Sequence, residues 1–209
     1  IKAVREKSIE ILQEEYEITT IHSVLASLEG AFQKIGAIAI MDSGESSSLE
    51  TLCIELMKLL KGEHASQGDE EDKEEVEGAD ESETELLIYD TCLDILVALS
   101  LTLGSAFNRI FASFKSVVYK NLTSASNQKR SVIVGALAEI CVGLKGENEF
   151  ANELLSDFVE LMNKDSFLNV RGYAAFGIGV ILFYSAEDLS AAYPDILSSL
   201  SKLLTKADK

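Results

Sequence analysis

The chain has 209 residues, 47% of them hydrophobic, with one Pro and no Trp. That is enough apolar material for one large domain or a run of stacked repeats, and the composition favours helix. A formal net charge of −17 excludes a nucleic-acid or anionic-membrane surface and favours basic protein partners.

Lys2 to Glu14 carries Val4, Ile9 and Leu12 among charges, the pattern of a half-exposed helix. Tyr16–Thr20 reads as a break. Ile21 to Ile40 is a second helix with Val24, Leu25, Leu28, Phe32, Ile35 and Ile38 on one face, and Gly30 and Gly36 are expected to ease close packing. Met41 to Ser48 is a turn with a Ser as N-cap, and Leu49 to Lys61 a third helix. His64 to Thr84 is acidic and of low complexity, without apolar spacing, so it is expected to be a flexible insertion. Between Asp69 and Glu85 stand eleven acids against one Lys, so ten of the net negative charges fall there.

Helical patterns resume at Glu85–Leu103, Ala106–Asn121, Ser126–Leu144, Asn148–Asn163, Leu168–Tyr184 and Asp188–Thr205. Leu168–Tyr184 is apolar on almost every face, with Gly172, Ala175 and Gly179 against the larger Val170, Tyr173, Phe176 and Ile181. A helix of this kind is expected to be sandwiched between neighbours on both sides. Leu86–Gly104 is long enough to span a bilayer, but Asp90 and Asp94 inside it argue against insertion. Ile1 falls within one helical pattern and Lys209 closes another, so the chain reads as a piece of a longer solenoid.

The helices come in pairs, and the pairs repeat. Arg130 and Arg171 stand 41 residues apart. Each opens a helix with a basic residue, small and branched apolar residues, then Gly135 or Gly177. Phe107, Phe150 and Leu189 begin the preceding helices at about the same period. In the last complete unit Asp165 lies in the turn, followed by Val170 and Arg171, which resembles the HEAT consensus. Pro194 falls where HEAT helices carry a kinking Pro. The neighbouring unit departs from the consensus, with Ser124 for the Asp and Lys129 for the Val. The expected fold is all-α: an α-solenoid of about four antiparallel HEAT pairs over 1–209, stacked right-handedly, with 64–84 inserted.

Four stretches carry a finer resemblance: EYEITTIHSVLASLEGAFQKIG (Glu15–Gly36), ALSLTLGSAF (Ala98–Phe107), KRSVIVGALAEICVGLK (Lys129–Lys145) and NVRGYAAFGIGVI (Asn169–Ile181). In that order, with an acidic insertion before the second, they resemble the importin-β (karyopherin-β) nuclear transport receptors. The similarity is greatest to the fungal members that carry histones and ribosomal proteins. The resemblance implies Lys/Arg-rich cargo on the concave face, with the GTPase Ran and nucleoporins as further partners of the full receptor. It also implies shuttling between cytoplasm and nucleus. Candidate concave residues are Glu29, Gln33, Tyr89, Asp90, Asp94, Glu139, Asn169 and Tyr173; Asp90 and Asp94, four apart, share a helix face. Asp165, Arg171 and Arg130 are expected to form a structural ladder. A static HEAT scaffold, such as a regulatory subunit of a phosphatase or chromatin complex, is the alternative.

Enzyme chemistry finds no footing. His22 and His64 are the only histidines, and no CxxC, HExxH or P-loop spacing is present. No catalytic residue, metal or cofactor is expected. Cys53, Cys92 and Cys141 are far apart in apolar helical patterns and read as reduced core thiols.

Overall fold

The computed structural model describes residues 2–36, 48–67, 83–124, 126–185 and 188–207. Among them run nine α-helices and no strand. They are α1 (Lys2–Glu14), α2 (Ile18–Ile35), α3 (Ser48–Lys61), α4 (Glu83–Leu103), α5 (Phe107–Lys120), α6 (Asn127–Leu144), α7 (Ala151–Lys164), α8 (Leu168–Tyr184) and α9 (Tyr193–Ala207).

The even-numbered helices form one row, α2 on α4, α4 on α6 and α6 on α8. The odd-numbered helices form a second row over it, with α1 on α3, α3 on α5 and α7 on α9. Each odd helix pairs with the even helix that follows. This is an all-α HEAT solenoid of four pairs, with α9 beginning a fifth.

The division into rows follows from apolar spacing. In α5, Phe107, Phe111, Phe114 and Val118 recur at helical period on one face and are at most 1% exposed. In α7, Leu154, Phe158 and Met162 do the same. Helices of this kind cover a core and keep a wet back. In α4, by contrast, Ile88, Cys92, Leu93, Ile95, Leu96 and Leu99 are buried around the whole circumference. That helix needs neighbours on opposite sides and finds them in α2 and α6. It is long and apolar enough to cross a membrane, but that character is spent on the core. Each fully buried Phe or Leu contributes about 1.5–3 kcal/mol. All three thiols are free, and burial pushes Cys53 up to about 11 and Cys141 up to about 12. They are inert core groups.

Several expectations are corrected. Helix α2 starts at Ile18, inside the expected break, because the Glu17 carboxylate accepts the Thr19 and Thr20 hydroxyls. It ends at Ile35, where Gly36 takes φ 58° and donates its N–H to the Phe32 carbonyl. Gly30 faces open space, so neither glycine serves close packing. Residues 37–47, including Ile38 and most of the Met41–Ser48 turn, lie outside the described residues, as do 68–82 of the acidic stretch.

The start of that stretch is docked. His64 is 3% exposed, and the Ser66 backbone N–H donates to its Nδ1 at 3.1 Å. The ring proton therefore sits on Nε2, which donates to the Leu12 carbonyl at 2.7 Å. Gln67 adds a bond from Nε2 to the Leu59 carbonyl. Glu83 and Thr84 belong to α4.

Within this chain helix α8 packs on α6, α7 and α9, with Leu168, Phe176 and Phe183 exposed and Gly172 and Gly179 in open space. Its close-packing glycine is Gly177, where an added Cβ would come within 2.3 Å of the Phe158 ring. Pro194 is the second residue of α9, in the first turn, where its missing N–H leaves no gap. It therefore has no kinking role.

Candidate functional site

Two places hold paired charges from successive repeats. The first is the turn between α7 and α8. Asp165 follows the last residue of α7, and its Oδ1 accepts the Phe167 N–H at 2.8 Å, which shapes the turn. One helix pair earlier, Arg130 sits in the first turn of α6. Its Nε donates to Asp165 Oδ2 at 2.8 Å and its Nη2 to Asp165 Oδ1 at 2.9 Å. Nη1 donates to the Ser124 carbonyl at 2.7 Å. This two-pronged pair is almost dry, with side chains 11% and 6% exposed. Arg171 donates from Nε to the Met162 carbonyl at 2.8 Å, closing the end of α7. Burial works to raise the Asp165 carboxyl. The Arg130 and Phe167 hydrogen bonds and the charges of both arginines outweigh it and hold the group below the usual carboxylate range. Arg130 and Asp165 are thus joined directly, while Arg171 bonds the Met162 carbonyl and reaches Asp165 only through its charge.

The second place is the even-numbered row. A cleft of about 200 Å³ opens where α4, α6 and α8 meet, lined by Asp90, Asp94, Ser131, Gly135, Glu139 and Tyr173 among others. Asp90 and Asp94 lie one turn apart on α4. Ser131, Gly135 and Glu139 repeat at four-residue steps along α6. The Tyr173 ring of α8 rests about 3.6 Å from where a Gly135 Cβ would stand, an ordinary contact distance. Glu29 of α2 does not line the cleft, but its charge reaches Asp94, and its carboxylate accepts Gln33 Nε2 at 2.6 Å. Asp94 keeps a solvent-exposed edge. Burial, then the charges of Asp90, Glu29 and Glu139, push its carboxyl up to about 6. Burial also raises Asp90.

Four of the sequence-predicted residues, Asp90, Asp94, Glu139 and Tyr173, therefore converge, and Glu29 acts on them from one repeat away. Tyr89 is a correction. One residue along a helix is about 100° of rotation, so it points away from Asp90. It is 4% exposed, its hydroxyl accepts from Asn121 Nδ2 at 3.3 Å, and Lys129 Nζ lies 4.6 Å from its ring centre. It lines a separate cleft with Lys61, Lys120 and Lys129. Asn169, exposed one turn before Tyr173, does not line the acidic cleft. Ser131 and Gly135 were missed. Stepping back along α6 from Glu139 in fours would have found both.

The comparisons with known proteins agree with this architecture. No family model matches the chain. It is 28% identical over 214 residues to the probable importin subunit beta-4 of Schizosaccharomyces pombe, covering 98% of this chain and 20% of that protein. It is 29% identical over 197 residues to importin-4 of Mus musculus, covering 92% of this chain and 18% of the relative. For importin-4 of Homo sapiens the figures are 26% over 201 residues, 95% and 18%.

Over nearly its whole length the chain is similar to importins.

It spans about a fifth of the length of the curated importins it matches. Within it the cleft acids Asp90, Asp94 and Glu139 come from even-numbered helices, and the Arg130–Asp165 pair ties the start of α6 to the turn after α7. Among the described residues no group of three or more His, Cys, Asp or Glu is placed to hold a metal ion.

Proposed function

We propose that this chain is a cargo-binding part of a nuclear import receptor, and that the cleft between α4, α6 and α8 takes Lys/Arg-rich segments of basic proteins such as histones or ribosomal proteins. The observation that carries the reading is the convergence of Asp90, Asp94 and Glu139 from successive repeats on one cleft walled by Tyr173. Carboxylates can meet an ammonium or guanidinium head, and the Tyr173 ring can pack on the aliphatic stem. Truncating a desolvated charge contact of this kind costs about 2–5 kcal/mol. Release by Ran-GTP, nucleoporin contacts and shuttling between cytoplasm and nucleus belong to the full-length receptor in this proposal. The protein acts as a carrier and not as an enzyme.

The test is fluorescence anisotropy of a labelled Lys/Arg-rich peptide against the chain and against an Asp90→Asn, Glu139→Gln double variant. A loss of tenfold or more in the variant, with its melting curve unchanged, supports the reading. Equal affinities would exclude this cleft. The alternative, a static HEAT scaffold, predicts no preference for basic over neutral peptides.

A further inference from the structure

We propose that the lysine-lined cleft beside Tyr89 is a binding site for the chain's own acidic stretch: carboxylates between Asp69 and Glu81 bind in cis to Lys61, Lys120 and Lys129. This site is separate from the cleft of Asp90, Asp94 and Glu139 and stands whether or not that cleft takes cargo.

The cleft has a volume of about 1120 Å³ and lies at the edge where α3 and α5 end and α4 and α6 begin. Lys61 is the last residue of α3, Lys120 the last of α5, and Lys129 stands in the first turn of α6. Three helices thus bring a base to one place, in a chain with 35 acids against 18 Lys and Arg. Lys120 is exposed and makes no ion pair among the described residues. Lys61 meets Glu63 at 3.6 Å with both side chains well exposed, a weak pair that an incoming carboxylate can replace. Lys129 is half-buried, with its Nζ 4.6 Å from the centre of the Tyr89 ring. Glu63 and Glu85 are the acids on the wall, so bases outnumber them. His64, also on the wall, is spent on the Leu12 carbonyl and the Ser66 N–H.

A second observation names the occupant. Gln67 and Glu85 both line the cleft, and they stand at the two ends of one connection. The seventeen residues between them hold ten acids and one Lys. At about 3.4 Å per residue, no point of that connection lies farther than about 30 Å from the cleft wall. A tether of this length sets an effective concentration of about millimolar, which an acidic segment of another protein must exceed to compete. A lysine in the last turn complements its helix dipole wherever it stands, and that role accounts for Lys61 and Lys120 singly. It does not account for their meeting Lys129 from the start of α6, at the cleft where both ends of the acidic connection are anchored. Charge complementarity does.

The experiment compares four chains: wild type, a neutralised chain in which the nine acids between Asp69 and Glu81 are changed to Asn or Gln, and each of these carrying Lys120→Gln with Lys129→Gln. Binding of labelled decaglutamate is read by fluorescence anisotropy at low salt. In the neutralised chain the lysines are open to the probe, so the two lysine changes weaken it about tenfold, and added salt weakens it further. Wild type binds the probe at least about tenfold more weakly than the neutralised chain, and there the lysine changes shift affinity less than about twofold, because the stretch already holds the site. Equal affinity of wild type and neutralised chain, lowered alike by the lysine changes, would overturn the cis contact and make a separate acidic chain the occupant. No binding to the neutralised chain, or binding that ignores the lysine changes, would overturn the site itself. None of these results bears on the cargo reading, which is tested at Asp90 and Glu139. Melting curves show that all four chains are folded, and Lys120→Gln alone, at an exposed position, keeps the comparison open if the double change melts early.

Discussion

The turn after α7 and the cleft between α4, α6 and α8 are built from the same residue type in opposite states. At the turn one aspartate, Asp165, meets two arginines and is held ionised well below its ordinary range. In the cleft Asp90, Asp94 and Glu139 face each other with no base among them, and Asp94 is pushed up. A matched buried charge joins repeats. An unmatched set, partly open to water, is held in place by helices that have other reasons to pack. The direction of each shift follows the neighbours the carboxylate meets: arginine lowers Asp165, whereas burial and other acids raise Asp94.

The largest way to break this contrast is Arg130→Ala, which leaves Asp165 charged and nearly dry. It is expected to cost about 3 kcal/mol and to lower Tm by about 6–12 °C in a chain of this size. Arg171→Ala removes one bond to a carbonyl and costs less, about 1.5 kcal/mol. Calorimetry of both variants checks the ranking; equal losses would mean that the ladder is not centred on Arg130. Acid sharpens the test. Because the folded Asp165 pKa is depressed, its contribution is complete above the unfolded value near 3.9 and disappears as pH falls through the folded value. The stability gap between wild type and Asp165→Asn is expected to be flat from pH 7 to about pH 5 and to close below about pH 4.

Next in size is a pair of glycines on α6. A Cβ at Gly143 would lie 2.6 Å from the Ser100 carbonyl carbon and 2.8 Å from the Leu101 nitrogen, backbone that cannot yield cheaply. Gly143→Ala is expected to cost about 1–3 kcal/mol. Gly135, on the cleft side, has ordinary contact distances to Tyr173, so Gly135→Ala is neutral or stabilises by up to about 1 kcal/mol. Denaturant melts of the two variants read the difference between a closed helix contact and an open cleft. The smallest effect belongs to Asp94→Asn. Removing a carboxylate whose charged form is penalised raises Tm by about a degree at pH 7.5, and the gain fades toward pH 5, where wild-type Asp94 is already protonated. A fall in Tm at pH 7.5 would place a favourable contact on that carboxylate.

How far the chain could be read without coordinates depended on whether the signal was local. The spacing of Phe107, Phe111 and Phe114, the all-round apolar pattern of Glu85–Leu103 and the 41-residue step from Arg130 to Arg171 are local or periodic. They led to helices, rows and repeats. Asp90 and Asp94 were placed on one face by the four-residue rule, and the coordinates put them in the same cleft. Tyr89, one residue and about 100° of rotation from Asp90, lines a separate cleft instead. A small residue is equally suited to a tight contact and to open space, as Gly177 and Gly172 show within this chain. Only a partner such as Phe158 against Gly177 tells the two apart.

The order of amino acids by itself determined the all-α class, the helix positions to within a few residues, the pairing period and the acidic balance. All of these follow from side-chain periodicity and charge, which need no knowledge of distant neighbours. Tertiary structure decided which acids find an arginine and which find one another. It also decided that His64 is anchored on Leu12. These outcomes depend on distances between residues tens of positions apart, set when the rows close on each other, and no local pattern records them.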